Sequence, residues 1–147
     1  MGSFVKPEFI WRVSSLLHRR GVPFIPRLLK SIIFIFFHAV LPYECVVPRD
    51  IRLVHRGLGT VVHPKTVFGD NVRLGHGVTI AAGSQVADDG LAVTVEDDVF
   101  IGTGSVIIPR SGGKIRIGKG AVVGAHALVV SDIPVGGRAF SPRAEIA

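Results

Sequence analysis

The sequence of 147 residues holds one cysteine, one methionine, one tryptophan and one tyrosine. With Cys45 alone, no intrachain disulfide can form, which fits a reducing cytoplasm. No uninterrupted apolar run approaches the roughly 20 residues that a spanning helix needs. Nor do a charged, an apolar and a small-residue segment follow one another as in a secretory leader. Acidic side chains are also scarce, eleven against seventeen Lys and Arg, for a net charge of +6. That excess would suggest nucleic acid if it were spread over the chain. It is instead confined to residues 1–40, where Lys6, Arg12, Arg19, Arg20, Arg27 and Lys30 face only Glu8. Residues 41–147 are nearly balanced, so no nucleic-acid role is expected. What the chain does have is 18 glycines and 48% hydrophobic residues, a composition that suits a repetitive all-β framework better than a helical bundle.

The basic segment, residues 1–40, reads as two helices. PEFIWRVSSLLHRR starts on Pro7, ends before Gly21, and places Phe9, Ile10, Val13, Leu16 and Leu17 on one face. A second helix is predicted from about Pro26 to His38, apolar on every side in its C-terminal half. Two readings stay open for it: packing on the main domain or a neighbouring subunit, or peripheral contact of residues 7–40 with anionic lipid.

From Leu41 the sequence reads in sixes. An aliphatic residue opens each unit, a small one often follows, and a small or β-branched one comes four places later. FGDNVR, LGHGVT and IAAGSQ run from Phe68; VEDDVF, IGTGSV and IIPRSG from Val95; IGKGAV, VGAHAL and VVSDIP from Ile117; LPYECV, VPRDIR and LVHRGL from Leu41. Such hexads predict a left-handed parallel β-helix over residues 41–147, with three flat faces per coil and the opening aliphatic inward. The fourth place after it, which includes Cys45, Thr66, Val72, Ser84, Val99 and Ser105, lies in the tight interior near a corner. Cys45 is then a small buried side chain and not a nucleophile. Each coil shields its neighbour, so the ends need caps. Breaks in the count predict corner loops at Gly57 to Val61, within Gln85 to Thr94, and around Gly112 to Arg116.

With three units per coil, and extra residues taken as three beyond two units between Ile80 and Val95, the units opening at Leu53, Leu74, Val95 and Ile117 share a face. Their third places form a column of His55, His76, Asp97 and Lys119, spaced about 4.8 Å apart. Two stacked imidazoles beside a glycine-rich loop suit a general base. They equally suit a surface ladder, the reading given to His18, His38 and His126. His63 is expected to point outward on another face.

LVHRGLGTVVHPKTVFGDNVRLGHGVTI, VEDDVFIGTGSVII and IGKGAVVGAHALVVSDIP together resemble the serine acetyltransferase branch of the hexapeptide-repeat acyltransferases, and most closely its small polysaccharide-linked members. The resemblance implies a homotrimer that binds acetyl-CoA between adjacent β-helices, with His55 as the catalytic base and His76 beside it. It puts the pantetheine arm against Gly102, Thr103, Gly104, Gly124 and Ala125, and the CoA phosphates near Lys119, Arg138 and Arg143. Arg56 and Asp97 are expected to meet the acceptor. The family's acids fall on Val40 and Val54 and its second active-site histidine on Ala92, which counts against free serine. The expected activity is therefore O-acetylation of a sugar hydroxyl in a surface glycan or its lipid-linked precursor, in the cytoplasm or at the inner membrane face. Serine acetylation and a non-catalytic binding module are the alternatives. No metal is expected: zinc enzymes of this fold space two ligand histidines five apart, a spacing absent here.

Overall fold

The computed structural model describes residues 5–82, 92–110 and 113–142. Two helices, α1 (Pro7–Arg19) and α2 (Ile25–Phe37), precede a left-handed parallel β-helix. Its first face stacks β1 (Arg52–Leu53), β4 (Arg73–Leu74), β7 (Phe100–Ile101), β10 (Val122–Val123) and β12 (Arg138–Ala139). The second stacks β2 (Val61–Val62), β5 (Thr79–Ile80), β8 (Val106–Ile107) and β11 (Leu128–Val129); the third stacks β3 (Thr66–Phe68), β6 (Val93–Val95) and β9 (Ile115–Ile117).

The hexad explains why the strands are so short. From β1 to β11 each strand ends on the unit's opening aliphatic, and all of these, from Leu53 to Val129, are buried. The residue before it faces outward or lies half-covered, giving the alternation of a strand with one wet face. Four places after the aliphatic, Val72, Val78, Val99 and Ala121 have no exposed surface. Ser105 is equally buried there, and its hydroxyl donates to the carbonyls of Gly102 and Gly124 at 2.6 and 2.9 Å, so its polarity costs little. Cys45 is buried as expected, its thiol near the carbonyls of His63 and Pro64, and burial pushes its pKa up to about 12. Ser84 lies outside the described residues.

The register corrects the predicted column. Leu53 pairs with Leu74 as expected, but Leu74 then pairs with Ile101 and not with Val95. Val95 belongs to the third face, between Phe68 and Ile117. The segment between Ile80 and Val95 therefore holds one unit and a longer insertion, not two units with three extra residues. Phase alone cannot separate those cases, because both differ by whole hexads. Of the predicted loops, Gln85 to Leu91 and Gly112 lie outside the described residues.

The helices sit against the first coils, α1 on a different face from the one that the apolar pattern predicts. Its buried residues are Pro7, Trp11, Ser14 and Ser15, while Phe9 and Leu16 are exposed. The Trp11 indole N–H donates to the Pro42 carbonyl at 2.7 Å, and its ring meets Phe68 edge-on at 5.6 Å. The two serines let the backbone approach closely, and their hydroxyls donate to Pro26 and Cys45 carbonyls at 3.0 and 2.6 Å. Helix α2 buries Ile33 and leaves Leu28, Phe34, Ile35 and Phe36 exposed. Among the described residues no helix is long and apolar enough to cross a membrane.

Candidate active site

Successive coils turn the corner between the first and second faces through Gly75-His76-Gly77, Gly102-Thr103-Gly104 and Gly124-Ala125-His126. Backbone bonds tie them together: the Gly104 N–H donates to the His76 carbonyl at 3.0 Å, and the His126 N–H to that of Thr103 at 2.8 Å. Two of the glycines are obligatory for a steric reason. A methyl at Gly75 would overlap the Thr103 backbone nitrogen, and one at Gly102 would lie 2.6 Å from that of Ala125. In the first coil the same corner carries the three-residue insertion, folded as a tight turn, Val54–Gly57, with His55 and Arg56 both left-handed at φ 50° and 59°. Two adjacent non-glycine residues in that region cost about 1–3 kcal/mol each. Strain of this kind gathers where a side chain must be aimed.

The turn brings His55 to His76. Their rings stand 5.0 Å apart, centroid to centroid, at 84°. His55 is exposed and His76 half-buried. One coil further on, the Thr103 hydroxyl lies 3.3 Å from His76 Nδ1. The histidine column thus continues through Thr103 and Ala125, and Gly102, Gly104 and Gly124 share its corner.

Asp97 and Lys119 are on the corner between the third and first faces. There the Asp70 N–H donates to Asp97 Oδ1 at 2.9 Å, and the Lys119 ammonium faces Asp97 and Asp98 at 3.6 and 3.8 Å. The Lys119 N–H donates to Glu96, whose carboxyl also takes the Arg116 guanidinium and is held below its usual pKa chiefly by that bond. These contacts tie successive coils together on a corner other than that of His55 and His76. Arg138 is exposed at the start of β12; Arg143 lies outside the described residues.

Three further placements differ from the sequence reading. His63 is half-buried, its Nδ1 accepting from the Lys65 N–H at 3.2 Å, and desolvation leads in lowering its pKa. His38 and His126, both exposed, stand on the same corner as His76: the His38 carbonyl accepts from the Gly59 N–H at 3.1 Å, and the His126 ring lies against Gly104. Both are left-handed, like Gly77 and Gly104 in the same column, and that phase is the signal that could have placed them. Finally, the N–H groups of Leu58, Gly59, Thr60, Gly75 and Gly77 all donate to backbone carbonyls. Among the described residues the His76 N–H donates to no backbone carbonyl. Among the described residues no three metal-ligating side chains converge.

No protein-family profile matches the chain. A serine acetyltransferase of Helicobacter pylori is 29% identical over 135 residues, covering 92% of this chain and 75% of that protein. One of Bacillus licheniformis is 31% identical over 127 residues, 85% and 56% of the two chains. Among solved structures, soybean serine acetyltransferase complexed with serine superposes with a TM-score of 0.78 at 32% identity, covering 94% of this chain and 54% of that one. The hexads, the coil and these matches make the chain similar to hexapeptide-repeat acyltransferases. Its named relatives are serine acetyltransferases, and the chain spans roughly half to three quarters of their length. These names overturn the surface-glycan acceptor expected from the sequence and favour the alternative, serine.

Proposed function

We propose that the chain is an acetyl-CoA-dependent O-acetyltransferase whose acceptor is the hydroxyl of serine. The observation that carries this reading is the pairing of His55, aimed by a left-handed turn, with His76 above a corner of small residues. His55 takes the hydroxyl proton as the serine oxygen attacks the thioester carbonyl carbon; the C–S bond then breaks and the proton passes to the CoA sulfur. Free CoA and O-acetylserine result. No acid stands at Val40 or Val54 to orient the base; His76, tied to Thr103, takes that part as a positioning residue. The His76 N–H is the donor for the oxyanion. Arg56, in the same turn as His55, offers a cation to the serine carboxylate.

The pantetheine arm runs along Gly102, Thr103, Gly104, Gly124 and Ala125, where small side chains let its amides reach the backbone. Arg138 serves the CoA phosphates. A homotrimer supplies the second wall of that cleft, and the exposed second-face side chains Val61 and Leu128 are apolar cover for a neighbouring β-helix. The enzyme works in the cytoplasm, and the outer side of α2, with Arg27 and Lys30 beside Phe34 and Ile35, offers the surface for peripheral membrane contact.

The test is thiol release from acetyl-CoA with and without serine. Serine-dependent release that His55→Ala reduces at least a hundredfold is expected. Release that is independent of serine, or unchanged in that variant, would sink the assignment.

A further inference from the structure

Between α1 and the first face lies a groove of about 740 Å³ that reaches Val54, the first residue of the turn that carries His55. Its charged lining is Lys6, Arg12, Arg49, Arg52 and Arg73, with Glu8 and Asp50 as the acids. Among the described residues none of these five cations forms a salt bridge. Arg52 and Arg73 are register partners on adjacent parallel strands, so both side chains leave the same outer face one strand spacing apart. Like charges placed directly opposite on a sheet repel. The arrangement contrasts with later coils of the same side of the molecule, where Lys119 is matched by two carboxylates. Arg12 is brought to the groove from the helix side and fixed there: its guanidinium donates to the Arg49 carbonyl at 3.1 Å and lies 5.5 Å from the Phe9 ring centroid.

We infer that this groove is a binding site for a phosphate-bearing anion; it adjoins the His55 turn but is lined by none of the residues assigned to acetyl transfer. Guanidinium groups from two strands and a helix converge on one volume, and phosphate oxygens match their paired N–H donors. The anion relieves the repulsion between Arg52 and Arg73 and bridges α1 to the coil. Such a ligand is either a soluble oligophosphate or a lipid headgroup, and the two sources are separable.

The full chain is titrated with inorganic pyrophosphate by calorimetry and thermal shift, against sodium chloride of matched ionic strength. Expected are saturable binding, a Tm rise beyond that in chloride, and at least a tenfold weaker affinity in Arg52→Gln/Arg73→Gln. Both positions are exposed, and an unchanged Tm in chloride checks that the double variant folds; Arg73→Gln alone is the fallback. Vesicles of phosphatidylglycerol, compared with phosphatidylcholine, form the second arm. Capture that the double variant loses, without pyrophosphate binding, identifies a headgroup as the source. Absence of both responses, or binding that survives in the double variant, overturns the inference.

Discussion

Single side chains decide how the corner of His55 and His76 is held. Thr103→Val removes the hydroxyl from His76 Nδ1; a hydrogen bond of about 0.5–1.5 kcal/mol predicts a kcat two- to tenfold lower, with Thr103→Ser restoring it, in steady-state assays with serine. Gly75→Ala forces a methyl into the Thr103 backbone, where no side chain can give way. A loss of roughly 1–3 kcal/mol is expected from such overpacking, read as a lower urea midpoint. Cys45, buried and with a pKa near 12, should stay unreactive toward a disulfide reagent in the native protein and react once unfolded. His63 supplies a pH dependence. Its folded pKa lies below the ordinary 6.5, so the native state favours the neutral ring and the unfolded state binds the proton more readily. Its contribution is present above pH 6.5 and is lost as pH falls through the folded value, so Tm should drop between pH 7 and 5 less in His63→Gln than in the parent.

Among the elements, α1 shows how hydrophobic pattern and packing diverge. A stripe of Phe9, Ile10, Val13, Leu16 and Leu17 is legible at helical spacing, yet of these Ile10 packs against the core, and the fully buried contact is made by Trp11 and two serines. The deciding groups are carbonyls of the first coil, at Pro42 and Cys45, which need donors that an aliphatic stripe lacks. Trp11 is the only tryptophan, and Trp11→Ala should cost about 3–5 kcal/mol while stripping the cover from Phe68. Equilibrium unfolding followed by far-ultraviolet circular dichroism measures it. The strands show the opposite case. Each is two or three residues long, too short to persist alone, and gains its order from the coils above and below.

At the scale of the whole molecule, stability is a sum over stacked coils, so an interior coil is held on two sides and a terminal one on one. Ile101, fully buried between β4 and β10, should lose about 2–5 kcal/mol on truncation to alanine, and more than Ile133, which caps β9 through a single bridge. The hexads made the fold class, the inward residues and the meeting of His55 with His76 legible, because a period of six is a local property that repeats. Alignment of Asp97 with the histidines failed for the same reason: an insertion that preserves the phase hides how many faces it skips. The glycan acceptor was inferred from the absent acids at Val40 and Val54, and it is the serine acetyltransferase relatives that overturn it. The amino-acid sequence thus determined the coil, its core and its corners through the spacing of aliphatic and small residues. The tertiary structure alone decided which corners share a column and which face of α1 is buried. It also set Arg52 and Arg73 side by side, because those outcomes depend on hydrogen-bonded register between segments far apart in the chain.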